Sequence, residues 1–148
     1  MSDPVALRRR FTLTQLLALL VAVAVIIAIA IPAYRTRALR LRRAEATQAL
    51  RRIQAAQERF LIQYNRYASR LAPSPPAGLG LPESTPHYIL RLDVDDPVRP
   101  SSFTARALAI QSASIEGDAN CHSFALDQNG IRNAKDVSGA DRSSLCWR

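Results

Sequence analysis

Several things are missing from long parts of this 148-residue chain, and each gap closes off a class of function. Between Leu16 and Tyr34 there is no charged side chain and no amide, a gap long enough for a helix to cross a bilayer. Between Ala33 and Ala72 neither Gly nor Pro occurs, so no strong breaker interrupts a helix there. There are two histidines, His87 and His122, far apart in sequence, and no serine or cysteine stands in a nucleophile frame. Cys121, His122 and Cys146 match no metal-ligand spacing. Gly78-Leu79-Gly80 lacks a third glycine, follows no strand and opens no helix, so it is no nucleotide fingerprint. Catalytic residues, a metal and a cofactor are therefore not expected. With roughly 110 residues outside the apolar run, a two-domain enzyme and a repeat array are excluded too.

What charge there is lies unevenly. Residues 1–70 hold 13 Arg against Asp3, Glu45 and Glu58, for +10, whereas residues 71–148 hold six Arg and Lys135 against nine acids, for −2. The overall +8 thus describes the first half, and an anionic partner is implied. Arg35, Arg37, Arg40, Arg42 and Arg43 follow the apolar run directly, which favours lipid headgroups over DNA. A DNA site would more naturally use Arg91, Arg99, Arg106 and Arg132, a weak footprint among nine acids. The run Asp93-Val94-Asp95-Asp96 has neither the glycine turn nor the distal glutamate of a calcium loop and reads as a solvated loop.

From Leu39 the pattern turns amphipathic. Leu39, Ala46, Leu50, Ile53, Gln57, Phe60, Tyr64 and Tyr67 fall on one helical face. The spacing predicts one helix from Phe11 to near Ser69, roughly 85 Å long at 1.5 Å per residue. Pro32 is its one interior proline, and a kink or local unwinding is expected there. Residues 73–86, with five prolines, read as a loop. Strand-like runs follow at Tyr88–Val94, Phe103–Ile110 and His122–Asp127, with a short fourth at Ile131 after the Asn129-Gly130 turn. The tail from Asp136 looks irregular. A small antiparallel sheet on the amphipathic half of the helix satisfies both apolar surfaces.

Three readings of the N-terminus compete: a secretory signal cleaved near Ala28-Ile29-Ala30, a plain signal anchor, and a third that depends on resemblance. Arginines flank the apolar run on both sides, so the positive-inside rule does not orient it. Beyond a membrane, Cys121 and Cys146 would sit in an oxidising compartment and should pair, which also argues for an outside C-terminus.

With its parts in this order the chain resembles the type IV pilins. Phe11-Thr12-Leu13-Thr14-Gln15 follows the frame of the family's processed N-terminus, and Pro32 stands at the family's proline, twenty-one residues on. Arg43-Ala44-Glu45-Ala46, Ala56-Gln57-Glu58-Arg59-Phe60 and Asn65-Arg66-Tyr67-Ala68 look like the helix half of minor pilins. Cys146-Trp147-Arg148, with Cys121 upstream, looks like their C-terminal disulfide loop. Two positions depart from the pattern: Arg10 stands where the prepilin peptidase takes a glycine, and Gln15 where the family has a glutamate. The resemblance implies cleavage between Arg10 and Phe11, assembly roles for Gln15 and Pro32, and an α+β fold. It implies a basic leader at 1–10, a transmembrane and assembly helix at 11–34, an amphipathic helix at 35–72, and a sheet head with a disulfide-closed tail at 73–148. The expected protein is a minor pilin, structural rather than enzymatic, with priming or the filament tip as its expected place. It would sit in the bacterial inner membrane with a periplasmic head and reach the cell surface in a pilus. The implied partners are other pilin subunits, the inner-membrane assembly machinery, the prepilin peptidase and membrane lipid. A type II secretion pseudopilin, a DNA-receptor minor pilin of natural transformation, and a single-span protein that never assembles are the alternatives.

Overall fold

The computed structural model describes residues 13–110 and 118–148. Helix α1 (Leu13–Tyr64) is followed by strands β1 (Tyr88–Val94), β2 (Phe103–Ala109), β3 (Ser123–Asp127) and β4 (Arg132–Lys135), and by the short helix α2 (Ser143–Cys146). The four strands form one sheet in the order β1-β2-β3-β4, antiparallel throughout. The chain divides into two units, residues 1–38 and 39–148, and α1 runs through the boundary.

In the second unit, α1 buries Ala46, Ala49, Leu50, Ile53, Gln57 and Phe60, the face drawn by the apolar spacing. The sheet contributes the alternate residues Tyr88 and Leu90, Phe103, Ala105 and Ala107, Phe124 and Leu126, and Ala134. Period-two alternation sends these to one side of the pleat, and they join the helix residues in a single core. Phe124, at 1% exposure, meets the rings of Tyr88 and Trp147 edge-on, with centroids 5.8 and 6.0 Å away. Each large apolar side chain buried this way contributes about 1.5–3 kcal/mol.

The helix stops at Tyr64, short of Ser69 and of residue 72. Asn65 adopts a left-handed conformation (φ 52°), and its N–H still donates to Leu61 O at 2.8 Å. A residue in that conformation ends a helix, and Asn tolerates it better than other side chains. The chain that follows is gripped by Gln57, which donates Nε2–H to Ala68 O and accepts from Ala68 N–H, both at 2.8 Å. Residues 65–72 are therefore held by this side chain and by backbone bonds to other segments rather than by helical bonds. Tyr67 N–H donates to Pro100 O at 3.2 Å, and Leu81 N–H donates to Leu71 O at 2.9 Å.

Two further expectations change. Of the two outcomes expected at Pro32, local unwinding does not occur: the helix runs through it, and the Thr36 hydroxyl donates to Pro32 O at 2.9 Å one turn on. The tail is not wholly irregular, because α2 forms within it. The Asn129-Gly130 turn does connect β3 to β4, through the four residues 128–131, with positive φ at Gly130 and not at Asn129. Gly130 has φ 78°, and the Asp127 carboxylate accepts from the N–H groups of Asn129 and Ile131 at 2.9 and 2.8 Å.

Candidate functional site

The first surface with functional chemistry is the apolar stem. From Leu13 to Tyr34 no residue is charged and none is buried within the chain. Leu17, Ile26 and Ile29 are each more than 60% exposed, at 63%, 65% and 67%. These 22 residues would rise roughly 33 Å as a helix, the thickness of a bilayer's hydrocarbon core. A helix apolar on every side needs lipid or other helices around it. Gln15 lies in the first turn of α1 and Pro32 lies near the end of the apolar stretch. Arg10 and Phe11, the predicted processing pair, lie outside the described residues.

Side-chain contacts in the head fix the amphipathic half of α1 to the segments that lead into β1 and β3. Arg43 grips Asp118 with two N–H donors, at 2.5 and 3.1 Å, and the Asp118 side chain is 5% exposed. Glu45 accepts from His87 N–H at 3.2 Å and meets His87 Nδ1 at 2.7 Å. Burial alone would raise the Glu45 carboxyl, but hydrogen bonds from Thr85 and His87 outweigh it and hold that carboxyl below its ordinary range. Burial, with Asp118 and Glu45 close by, pushes the Tyr88 phenol up to about 12. Neither pair was foreseen, because the partners stand 75 and 42 residues apart and carry no local spacing signal.

The C-terminal tail is fastened at several points. Cys121 and Cys146 form a disulfide with Cα atoms 5.8 Å apart, and both are buried. The Ser143 hydroxyl accepts from Ala134 N–H, and Trp147 Nε1–H donates to Asn133 O, both at 2.9 Å. An isolated bridge between Lys135 and Asp141 lies alongside β4, and one between Ser84 and Ile89 lies beside β1. Both edges of the sheet are thus partly covered, which hinders unplanned strand pairing. Asp136 organises the turn before α2, accepting from Ser138, Ala140 and Arg142. The Ser138 bond leads in lowering its carboxyl to about 2.

The four arginines named for DNA are distributed in two ways. Arg91 and Arg106 stand directly opposite each other on β1 and β2, and Arg106 also meets Asp93 at 2.8 Å. Arg99 lies in the β1–β2 connection, and Arg132 sits over the Trp147 ring with its guanidinium 5.7 Å from the centroid. Next to Arg106, the outer side of β2, β3 and β4 forms a shallow depression of about 340 Å³ whose lining includes Thr104, Ser123, Ala125, Asn133 and Lys135. The acidic run beside it is engaged locally. Asp95 accepts from the Ser101 hydroxyl and from the N–H groups of Ser101 and Ser102, and Asp96 accepts from Val98 N–H. These bonds, the Ser101 hydroxyl first, hold the Asp95 carboxyl well below the usual range.

A long N-terminal helix with an unaccompanied apolar stretch, packed further on against a four-stranded antiparallel sheet with a disulfide-closed tail, defines the class of type IV pilins. The model of the family described as "Type IV minor pilin ComP, DNA uptake sequence receptor" matches residues 32–125, more than half of the chain. The chain belongs to that family of minor pilins. A solved structure described as a type IV pilin from Shewanella oneidensis shares the fold at a TM-score of 0.52 and 20% identity. The match covers 74% of this chain and 98% of that one. Among curated proteins none matches. The protein is a minor pilin subunit, membrane-anchored by its apolar helix, and its family works with other pilins and the pilus machinery.

Proposed function

We propose that this minor pilin waits in the bacterial inner membrane, its apolar stem crossing the bilayer once and its head in the periplasm, and is then drawn into a pilus. The carrying observation is the stem itself: from Leu13 to Tyr34 it is charge-free and has no buried residue within its own chain. In lipid that surface faces acyl chains, and in a filament it faces like helices, where side-chain packing selects the match. The role is structural, with no catalytic step. Pro32 lacks the N–H that would bond one turn back, so the helix is weakest there, and we place at Pro32 the point where the stem lengthens during assembly. Gln15 would cross the membrane more readily than a glutamate but cannot form the ion pair attributed to glutamate in assembly. That suits a subunit with few neighbours on one side, as at a tip or in a priming complex. The disulfide-closed tail and the family match support a pilus over a type II secretion machine.

Mass spectrometry of the mature N-terminus tests this reading. A chain starting at a methylated Phe11, despite Arg10, is the expected product of the prepilin peptidase; an intact start at Met1 or Ser2 would show an anchored protein that is never processed.

A second reading, that the head takes up DNA, is favoured by the family's description as a DNA uptake sequence receptor and by the opposed Arg91 and Arg106. Like charges directly across a strand pair repel; Asp93 already answers Arg106 at 2.8 Å, so Arg91 is the exposed cation of the pair that a phosphate would meet. Gel retardation by residues 39–148 at 50 and 200 mM salt, our chosen conditions at roughly the range where phosphate contacts weaken steeply, decides it. Salt-sensitive retardation supports a receptor, and none at either salt removes the idea.

A further inference from the structure

The side of α1 that faces away from the sheet is an unusual solvent face. Arg40, Arg51, Arg52 and Arg59 are all exposed on it, and none forms an ion pair among the described residues. Between them, at successive spacings of three, four, seven and seven, run Leu41, Ala44, Gln48, Ala55 and Ile62. Leu41 is 65% exposed and Ile62 is 86% exposed. A solvated helix face normally mixes charges of both signs; here Glu58 is the exposed acid, Glu45 being half-buried against His87. The result is a narrow strip of apolar and small side chains with arginines on both flanks.

We propose that this face docks on the acidic head surface of a different pilin subunit, and not on a second copy of this chain; the inference rests on the filament reading above. Two observations choose the occupant. Residues 39–64 hold six Arg against Glu45 and Glu58, for +4, whereas residues 65–148 hold nine basic side chains against nine acids, for zero. A second copy therefore offers no net negative surface to the arginines and adds its own +4 to the repulsion. Nucleic acid would meet the charge but not the strip: phosphates reward guanidinium groups, and Leu41 and Ile62 would stay wet or face a charged backbone. A protein surface with acids flanking an apolar centre satisfies both, as interface cores and rims usually do. The same charge arithmetic makes runs of this subunit unfavourable, so it enters a filament among other pilins.

The test uses the full-length protein in cells. A photo-crosslinking residue replaces Gln48, and adducts are read in sheared fibres, with the major pilin isolated from the same fibres as the direct probe. The expected adduct joins this chain to a pilin whose head has a net negative charge. Arg52→Glu with Arg59→Glu should lower the adduct about tenfold, since each reversal turns an attraction into a repulsion. Arg52→Lys with Arg59→Lys should keep it, and reversing acids on the partner should restore it to the Glu variant. Adducts between two copies of this chain, adducts to DNA, or a yield unchanged by charge reversal would each overturn the proposal while leaving the filament reading intact. Absence of the unsubstituted protein from fibres would instead overturn the filament reading and this inference with it.

Discussion

Replacing Gln57 should unfasten the chain where α1 ends. Its side chain is fully buried and makes two 2.8 Å hydrogen bonds to the backbone of Ala68, itself 1% exposed. Gln57→Ala leaves the Ala68 N–H and C=O without partners away from water, at about 1–3 kcal/mol each. The lost side-chain contacts and the space left behind add to that. The expected loss is about 3–6 kcal/mol from a domain whose total stability is on the order of 5–15 kcal/mol. Denaturant unfolding of oxidised residues 39–148 reads it directly, and a melting shift of at least roughly 12 °C should accompany it. Gln57→Glu sharpens the test. A protonated glutamic acid can still donate to Ala68 O, whereas the carboxylate cannot and is buried besides. The folded state therefore raises the pKa of that glutamate, so the variant is most stable below the unfolded value near pH ~4 and loses stability as pH rises. A Gln57→Ala loss under 1 kcal/mol, or a Gln57→Glu variant indifferent to pH, would refute the idea that this clamp holds residues 65–72.

Other perturbations have definite expected outcomes. Opening the disulfide with Cys121→Ser and Cys146→Ser frees a loop with a sequence separation of 25 and should lower stability by roughly 3–4 kcal/mol in equilibrium unfolding. The lowered Asp136 carboxyl stabilises its turn above the unfolded pKa, near ~4, and that contribution fades as pH falls toward about 2. Hydrogen exchange of residues 136–142 should quicken across that window, and Asp136→Asn should remove the pH dependence. Tyr88 works in the opposite direction. Its raised pKa leaves stability intact below about pH 10, its unfolded value, and removes it as pH climbs toward about 12. An alkaline melt should show this, and Tyr88→Phe should flatten it. Gln15→Glu should restore the family's usual side chain and raise incorporation into fibres, measured as the ratio of fibre-bound to membrane-bound protein.

The elements that could be read from the sequence are those set by local periodicity. The face through Ala46, Leu50, Ile53, Gln57 and Phe60, the alternation of Tyr88 and Leu90, and the Asn129-Gly130 turn each need only neighbours one to four residues away. The helix end was misplaced because its signal is one residue, Asn65, whose left-handed backbone replaces the glycine or proline that breaker counting looks for. Gln57 was assigned to the right face, yet its reason for being there is the backbone of Ala68, eleven residues on. Arg43 with Asp118 and Glu45 with His87 were invisible for the same cause, since long-range pairs depend on which strands lie against which turn of the helix. The exposed face of Leu41, Arg52, Arg59 and Ile62 stood in plain view as arginines between core positions. Seeing it as a surface required knowing that the sheet covers the opposite side.

The central claim is that the stem leaves lipid for the company of other stems, and a single cysteine at Val23 tests it most directly. In fibres sheared from cells that also produce a major pilin with a cysteine at the matching depth, oxidation should join the two stems. If the Val23→Cys chain reacts only with lipid-borne probes in the membrane fraction, and never with another stem in fibres, the stem is an anchor and the filament account is wrong.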